Sequence, residues 1–289
     1  MGKGNAVCFL IIILLLLLTS AVSMADAGLA GEIGTVVNVN EYVTLRDVPK
    51  KRGAEVDRIP LGGIIVYLGE DEGDFSRVSY RGRYGYVMNE YLQRQPREKG
   101  TEVSPDTAME IRLNLFLTAF SDVWFNGSAA FTLDAYRDRE LVDFAVDTLF
   151  KSQLEYGPWG DYNARVDGST VPDMVRRWFG VEYVNVSDTR YEYRNGYYYS
   201  DETGGRSTGG FTVVERVEML SEGLYRVIFS TYGAGEGWKP EAVCALTPER
   251  AAAMYPGSLK HAGEAVVDFH GHPEDEQQWT VRFWFVQNE

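Results

Sequence analysis

The chain has 289 residues, 45% of them hydrophobic, and a formal charge of −14. That length allows one or two domains with a sizeable core. The acidic excess counts against nucleic-acid binding, since phosphates would be repelled.

Residues 1–27 read as a secretory signal. Lys3 and the amino terminus make a short basic region, and residues 9–18 form an unbroken apolar run. At about ten residues the run is too short to cross a bilayer comfortably. Small-residue cleavage sites follow at Ser23-Met24-Ala25 and Ala25-Asp26-Ala27; retention as an uncleaved anchor is the alternative. Cys8 precedes the apolar run and so cannot be a lipid acceptor. No second hydrophobic stretch follows, so no membrane contact is expected after cleavage. Cleavage leaves Cys244 as the one thiol, which excludes an intramolecular disulfide. Cys244 sits in an apolar strand-like run, 242–246, and reads as a small buried hydrophobe.

Residues 33–93 read as a compact all-β unit. Strand candidates at 42–46, 55–59, 64–68, 76–80 and 83–87 alternate with glycine-rich turn signals, the spacing of a small barrel. Arg81-Gly82 suits a tight hairpin. Alternation puts Tyr84 and Tyr86 on one strand face.

Tyr42-Val43-Thr44-Leu45-Arg46-Asp47-Val48-Pro49, Arg58-Ile59-Pro60-Leu61-Gly62, the run 75–80, and Gly85-Tyr86-Val87 with Tyr91-Leu92 resemble, in order, the strands and turns of bacterial SH3 domains. The resemblance implies an SH3-like barrel that binds peptidoglycan or another wall polymer, or anchors an attached domain. It does not imply catalysis. By analogy to the family's binding face, Tyr42, Tyr84 and Tyr91, with Arg46 and Asn89, are the groove candidates. Flat aromatic rings with polar groups at a rim are what a glycan with a peptide stem requires. Lys50-Lys51-Arg52 reads as a solvated loop tip.

Residues 94–104 read as a linker, because Pro96 and Gly100 interrupt a polar run. Residues 105–289 then change pattern. Ser104-Pro105 reads as a helix start. Met109, Leu113, Phe116, Leu117, Phe120 and Trp124 share one face of the helix, with Glu110, Arg112, Asn114, Thr118 and Ser121 on the polar side. Helices are also expected at 138–151, and at 170–179 with a Thr170/Asp173 capping box and Gly180 as the stop. Residues 156–167 read as a long loop in which Tyr156, Trp159 and Tyr162 either form a recognition patch or cover the core. Strands follow at 191–194, 197–200, 211–220, 224–231, 242–246 and 264–270, with a short helix near 248–255. In the closing run, Trp279, Val281, Phe283 and Phe285 alternate with Thr280, Arg282, Trp284 and Val286, which marks a central strand. The expected class is α+β, with helices packed on a curved antiparallel sheet in a cystatin-like or NTF2-like manner. Runs 115–122, 141–145 and 193–198 resemble a domain of exported Firmicutes proteins that often accompanies an SH3 barrel, which implies a Gram-positive surface setting.

Other chemistry is sparse. The cluster Asp268-Phe269-His270-Gly271-His272-Pro273-Glu274 lacks helical metal-site spacing and reads as an exposed turn, so no metal or other cofactor is expected. Residues 204–210 are glycine-rich without a phosphate-loop ending. The sequence therefore points to a non-enzymatic, secreted wall-associated protein. Its barrel holds peptidoglycan, and its second domain engages a protein or ligand. A wall hydrolase with unrecognised catalytic groups and an inhibitor of such hydrolases are the rivals. Mass spectrometry of the exported protein is expected to show cleavage after Ala25 or Ala27; an intact Met1 would overturn the signal reading.

Overall fold

The computed structural model describes residues 31–124, 130–153, 155–201, 210–233, 243–269 and 279–287. It consists mostly of antiparallel sheets with a few helices. Among the described residues no helix is long and apolar enough to cross a membrane. The segment read as a signal, the histidine cluster from His270 onward and the 204–209 glycine run lie outside the described residues.

The N-terminal unit has strands β1 (Ile33–Val36), β2 (Tyr42–Arg46), β3 (Glu55–Pro60), β4 (Ile64–Glu72), β5 (Phe75–Tyr80), β6 (Arg83–Met88) and β7 (Leu92–Arg94). They form one seven-stranded sheet in the order β3-β2-β6-β5-β4-β1-β7. Among the described residues no pairing joins β3 to β7, so hydrogen bonding does not close the sheet into a barrel. β2 meets β6 only at Arg46↔Tyr86. Gly85 permits that approach, since a Cβ there would stand 2.4 Å from the Arg46 carbonyl oxygen. Val36, Leu45, Ile59, Ile65, Val78 and Val87 are fully buried, and Tyr67 and Tyr80 join this core.

The remainder comprises β8 (Thr101–Val103), α1 (Thr107–Trp124), β9 (Ala130–Thr132), α2 (Asp138–Ser152), β10 (Glu155–Trp159), β11 (Tyr162–Asp167), α3 (Val171–Phe179), β12 (Glu192–Arg194), β13 (Tyr197–Ser200), β14 (Gly210–Ser221), β15 (Leu224–Gly233), α4 (Pro248–Met254), β16 (Leu259–Phe269) and β17 (Trp279–Val286). A six-stranded sheet runs β8-β14-β15-β16-β17-β9, and a four-stranded one β10-β11-β13-β12. Phe120 of α1 is the centre of an aromatic cluster, with Trp284 at 4.8 Å and Phe144 at 4.9 Å between ring centroids.

Several sequence expectations change. α1 starts after Asp106, whose carboxylate accepts the Met109 N–H at 2.8 Å, so Asp106 takes the capping role assigned to Ser104. Thr170 makes no side-chain cap, and Asp173 pairs with Arg176 at 2.5 Å instead. Residues 155–167 are a hairpin rather than a loop, because Ala164 and Val166 alternate into the core. Residues 243–246 form a turn closed by a Leu246 N–H bond to the Val243 carbonyl, not a strand. Cys244 is nonetheless fully buried.

The polar side of α1 is not a solvent face. Asn114, Thr118 and Ser121 are all buried. β8 covers the edge of β14 only at Val217–Met219. Further along that strand the Val214 N–H donates to Asn114 Oδ1 at 2.7 Å and the Thr212 N–H to Thr118 Oγ1 at 2.9 Å. The Asn114 amide also donates to the Cys244 carbonyl at 2.7 Å. The helix thus supplies the acceptors that a neighbouring strand would otherwise provide.

The closing strand changes phase. Val267 pairs with Val281 but Val266 with Phe283, so Arg282 is an extra residue in the ladder. Trp279, Val281, Trp284 and Val286 enter the helix-side core, whereas Phe283 and Phe285 join Val66 and Ala130 on the other face, beside Ile33 and Leu68. The N-terminal sheet therefore packs on the outer face of the six-stranded one. Residues 94–104 are held down along this junction. Glu98 gives its carbonyl to Arg226 at 2.9 Å, Arg97 pairs with Glu264, and β8 extends the sheet.

Asn114→Ala should lower unfolding free energy by about 3 kcal/mol, because it leaves a buried N–H and a buried carbonyl without partners. Urea denaturation measures this, and Tyr183→Ala, at an 83% exposed position, should shift stability by less than about 0.5 kcal/mol.

Candidate functional site

Concave features adjoin the N-terminal unit over β2, at the β5–β6 turn, and beside residues 31–33 and 95–98. The first is a shallow groove of about 700 Å³ over the β2 strand and the turn after β6, with Tyr42, Thr44, Arg46, Met88, Glu90 and Tyr91 among its walls. Tyr42 begins β2 and is 40% exposed, with the Arg58 guanidinium 4.6 Å above its ring centroid. Arg58 is in turn paired with Glu55 at 2.9 Å, and that hydrogen bond raises its affinity for the proton. Arg46 gives one guanidinium bond to the Gly53 carbonyl at 2.8 Å, which fixes the 47–53 loop and sets Lys51 at the groove edge. Tyr91 is half-buried and packs on the Val36–Leu45 core. Its hydroxyl is held above the ordinary phenol range by a hydrogen bond to Glu90 and then by that residue's charge. Asn38, at φ 58°, donates to the Glu90 carbonyl at 2.9 Å and ties the two ends of the groove together.

The groove thus gathers Tyr42, Arg46 and Tyr91 and leaves out two of the expected residues. Tyr84 does share the outward face with Tyr86, but it stands opposite Ser79 toward the other end of β6. The Asn89 side chain turns away, accepting from the Ser76 hydroxyl at 2.7 Å. Lys51, read as a solvated tip, is exposed but belongs to the rim. Glu41 and Glu90 face Arg46 and Lys51, so the rim carries both signs. In the β10–β11 hairpin Tyr156 is 65% exposed, and Tyr162 bonds to Glu192 at 2.7 Å.

The second feature is a cleft of about 330 Å³ where the β5–β6 turn meets α2. Arg81 and Gly82 both have positive φ, 49° and 69°, as the two-residue hairpin requires. Gly82 also lies against the Glu140 carboxyl, where a Cβ would come within 2.7 Å. Arg137 reaches across the junction to Asp57 at 2.7 Å, while the Glu140 carboxylate accepts the Arg137 backbone N–H at 2.9 Å. No sequence motif marks this cleft, because its residues come from separate segments at 81–83, 123, 137–147 and 190. The one local signal is the alternation of arginine and acid along 137–143.

Burial pushes Glu140 up to about 7, against the lowering effects of the Arg137 N–H bond and the Arg137 and Arg81 charges. Burial likewise raises Asp147 and Glu264, although Arg190 and Tyr191 oppose the first, and Arg97 and Arg226 the second.

The chain matches no family model, no curated protein and no solved structure.

Glu140 makes stability depend on pH. Its folded value lies above the ordinary 4.5, so the folded state holds the proton more tightly. The stabilisation is complete below about pH 4.5 and is lost as pH rises through about 7, at most ~3 kcal/mol in total. Glu140→Gln keeps an oxygen for the Arg137 N–H and should remove this dependence. Parallel melting curves of wild type and variant from pH 4.5 to 8 should converge at low pH, with wild type the less stable above 7.

Proposed function

We propose that the protein is a secreted, cell-wall-associated binding protein rather than an enzyme. In this reading the N-terminal unit is a bacterial SH3-like barrel that holds peptidoglycan. The C-terminal part is an α+β domain of cystatin-like or NTF2-like type that engages a protein or ligand. The observation that carries the reading is the groove. An exposed tyrosine, a half-buried tyrosine and a threonine lie between charges of both signs, a surface suited to a sugar chain bearing a zwitterionic peptide stem. The resemblance of residues 42–92 to bacterial SH3 domains supports the same assignment, and the apolar run near the N-terminus supports export.

Two rings at about 1 kcal/mol each beyond their buried area imply modest affinity, on the order of micromolar or weaker. The balanced rim implies mild salt dependence. Co-sedimentation of the purified protein with peptidoglycan tests this. Tyr42→Ala should lose binding and keep its melting temperature. Tyr91→Ala should lose both, since its ring packs on the core, and Tyr84→Ala should keep binding. Wild-type protein that stays in the supernatant with walls from several Gram-positive species would overturn the proposal.

A further inference from the structure

The cleft at the β5–β6 turn holds more guanidinium donors than its carboxylates take up. Arg81, Arg83, Arg137, Arg139 and Arg190 line it. Arg137 is engaged by Asp57 at 2.7 Å, and Arg190 by both oxygens of Asp147 at 2.7 Å. The other three are under-used. Arg81 lies 5.4 Å from the Tyr80 ring centroid, and its charge acts on Glu140 with no salt bridge between the two among the described residues. Arg83 gives one bond to the Val56 carbonyl, and its nearest carboxylate, Asp57 at 3.6 Å, is already bound to Arg137. Arg139 stands 3.6 Å from Asp143, which accepts the Thr189 hydroxyl at 2.6 Å and the Arg190 N–H at 2.9 Å. Each guanidinium has five N–H donors. In a chain of charge −14, five arginines here face only Asp57, Glu140, Asp143 and Asp147. Val123 and Phe144 give the cleft an apolar floor, and its volume of about 330 Å³ falls within the range of small-molecule sites.

We propose that this cleft binds a phosphate-bearing ligand, with Arg81, Arg83 and Arg139 on the phosphate oxygens and the ligand body over Val123 and Phe144. Guanidinia on a turn and on a helix approach from two sides. A phosphate monoester offers three acceptor oxygens to such an arrangement, and a carboxylate only two. The site is separate from the wall-polymer groove and does not depend on that reading.

Calorimetric titration of the full chain with inorganic phosphate, phenyl phosphate and benzoate, in sodium chloride at matched ionic strength, tests the proposal. Phenyl phosphate should bind saturably at ~1 mM or tighter. Inorganic phosphate should bind several-fold more weakly for want of the apolar contact, and benzoate should not saturate. The Arg81→Gln/Arg139→Gln variant alters two exposed side chains and should weaken phenyl phosphate at least tenfold with an unchanged melting temperature. Arg81→Gln alone should give an intermediate loss, and Arg176→Gln, on α3, no loss. Absence of saturable binding, benzoate binding as tightly as phenyl phosphate, or full binding by the double variant would overturn it.

Discussion

The placement of the two units rests on one apolar contact. Phe283 and Phe285 project from the outer face of β17 against Val66, Ile33 and Leu68 of the N-terminal sheet, with Ala130 of β9 filling the edge. Both rings are more than nine-tenths buried, and burying each contributes about 2 kcal/mol. The contact exists because the extra residue Arg282 shifts the phase of the strand and turns two aromatic rings away from the helices. In a regular strand both rings would have followed Trp279 and Val281 toward the helices.

Much of the charge chemistry follows from that contact. Once the sheets are stacked, the β5–β6 turn lies on the start of α2, and Gly82 is in reach of Glu140. The connecting segment is drawn across the sheet as well, where Arg226, only 5% exposed, bonds to Glu218 and Glu264 at 2.8 Å each and to the Glu98 carbonyl. A buried guanidinium is tolerated there because its donors meet two carboxylates and a carbonyl, which offsets the desolvation it suffers. Arg137–Asp57, about one quarter exposed on each side, adds roughly 1 kcal/mol at most. Its larger effect is positional, since Arg83 is left to share Asp57 at the longer distance of 3.6 Å.

The groove is of a different kind, because it forms within the N-terminal unit. The Tyr42 ring is at the start of β2 and Tyr91 follows β6, and Asn38 bonded to the Glu90 carbonyl brings these two stretches together. Its aromatic surface and mixed-sign rim are therefore local properties of residues 38–91. The arginine cleft belongs to the assembled molecule, where one wall comes from each unit.

The sequence by itself determined the local elements. Short strand-like runs between glycine-rich turns marked the N-terminal strands, Arg81-Gly82 marked one of their hairpins, and a helix was read at α2, whose residues Leu141, Phe144, Ala145 and Leu149 are buried. The resemblance to bacterial SH3 domains pointed to Tyr42, Arg46 and Tyr91, which line the groove over β2. What only the tertiary structure decided was which polar groups are buried and which apolar faces meet. Asn114 and Thr118 look like solvent-facing helix residues until the uncovered edge of β14 is placed beside them. Phe283 and Phe285 look like ordinary alternation until a bulge reassigns their face. Arg81, Arg83 and Arg139 carry no motif because their proximity depends on the stacking of two sheets. Periodicity reports neighbours along one element, whereas these roles are set by partners distant in the chain.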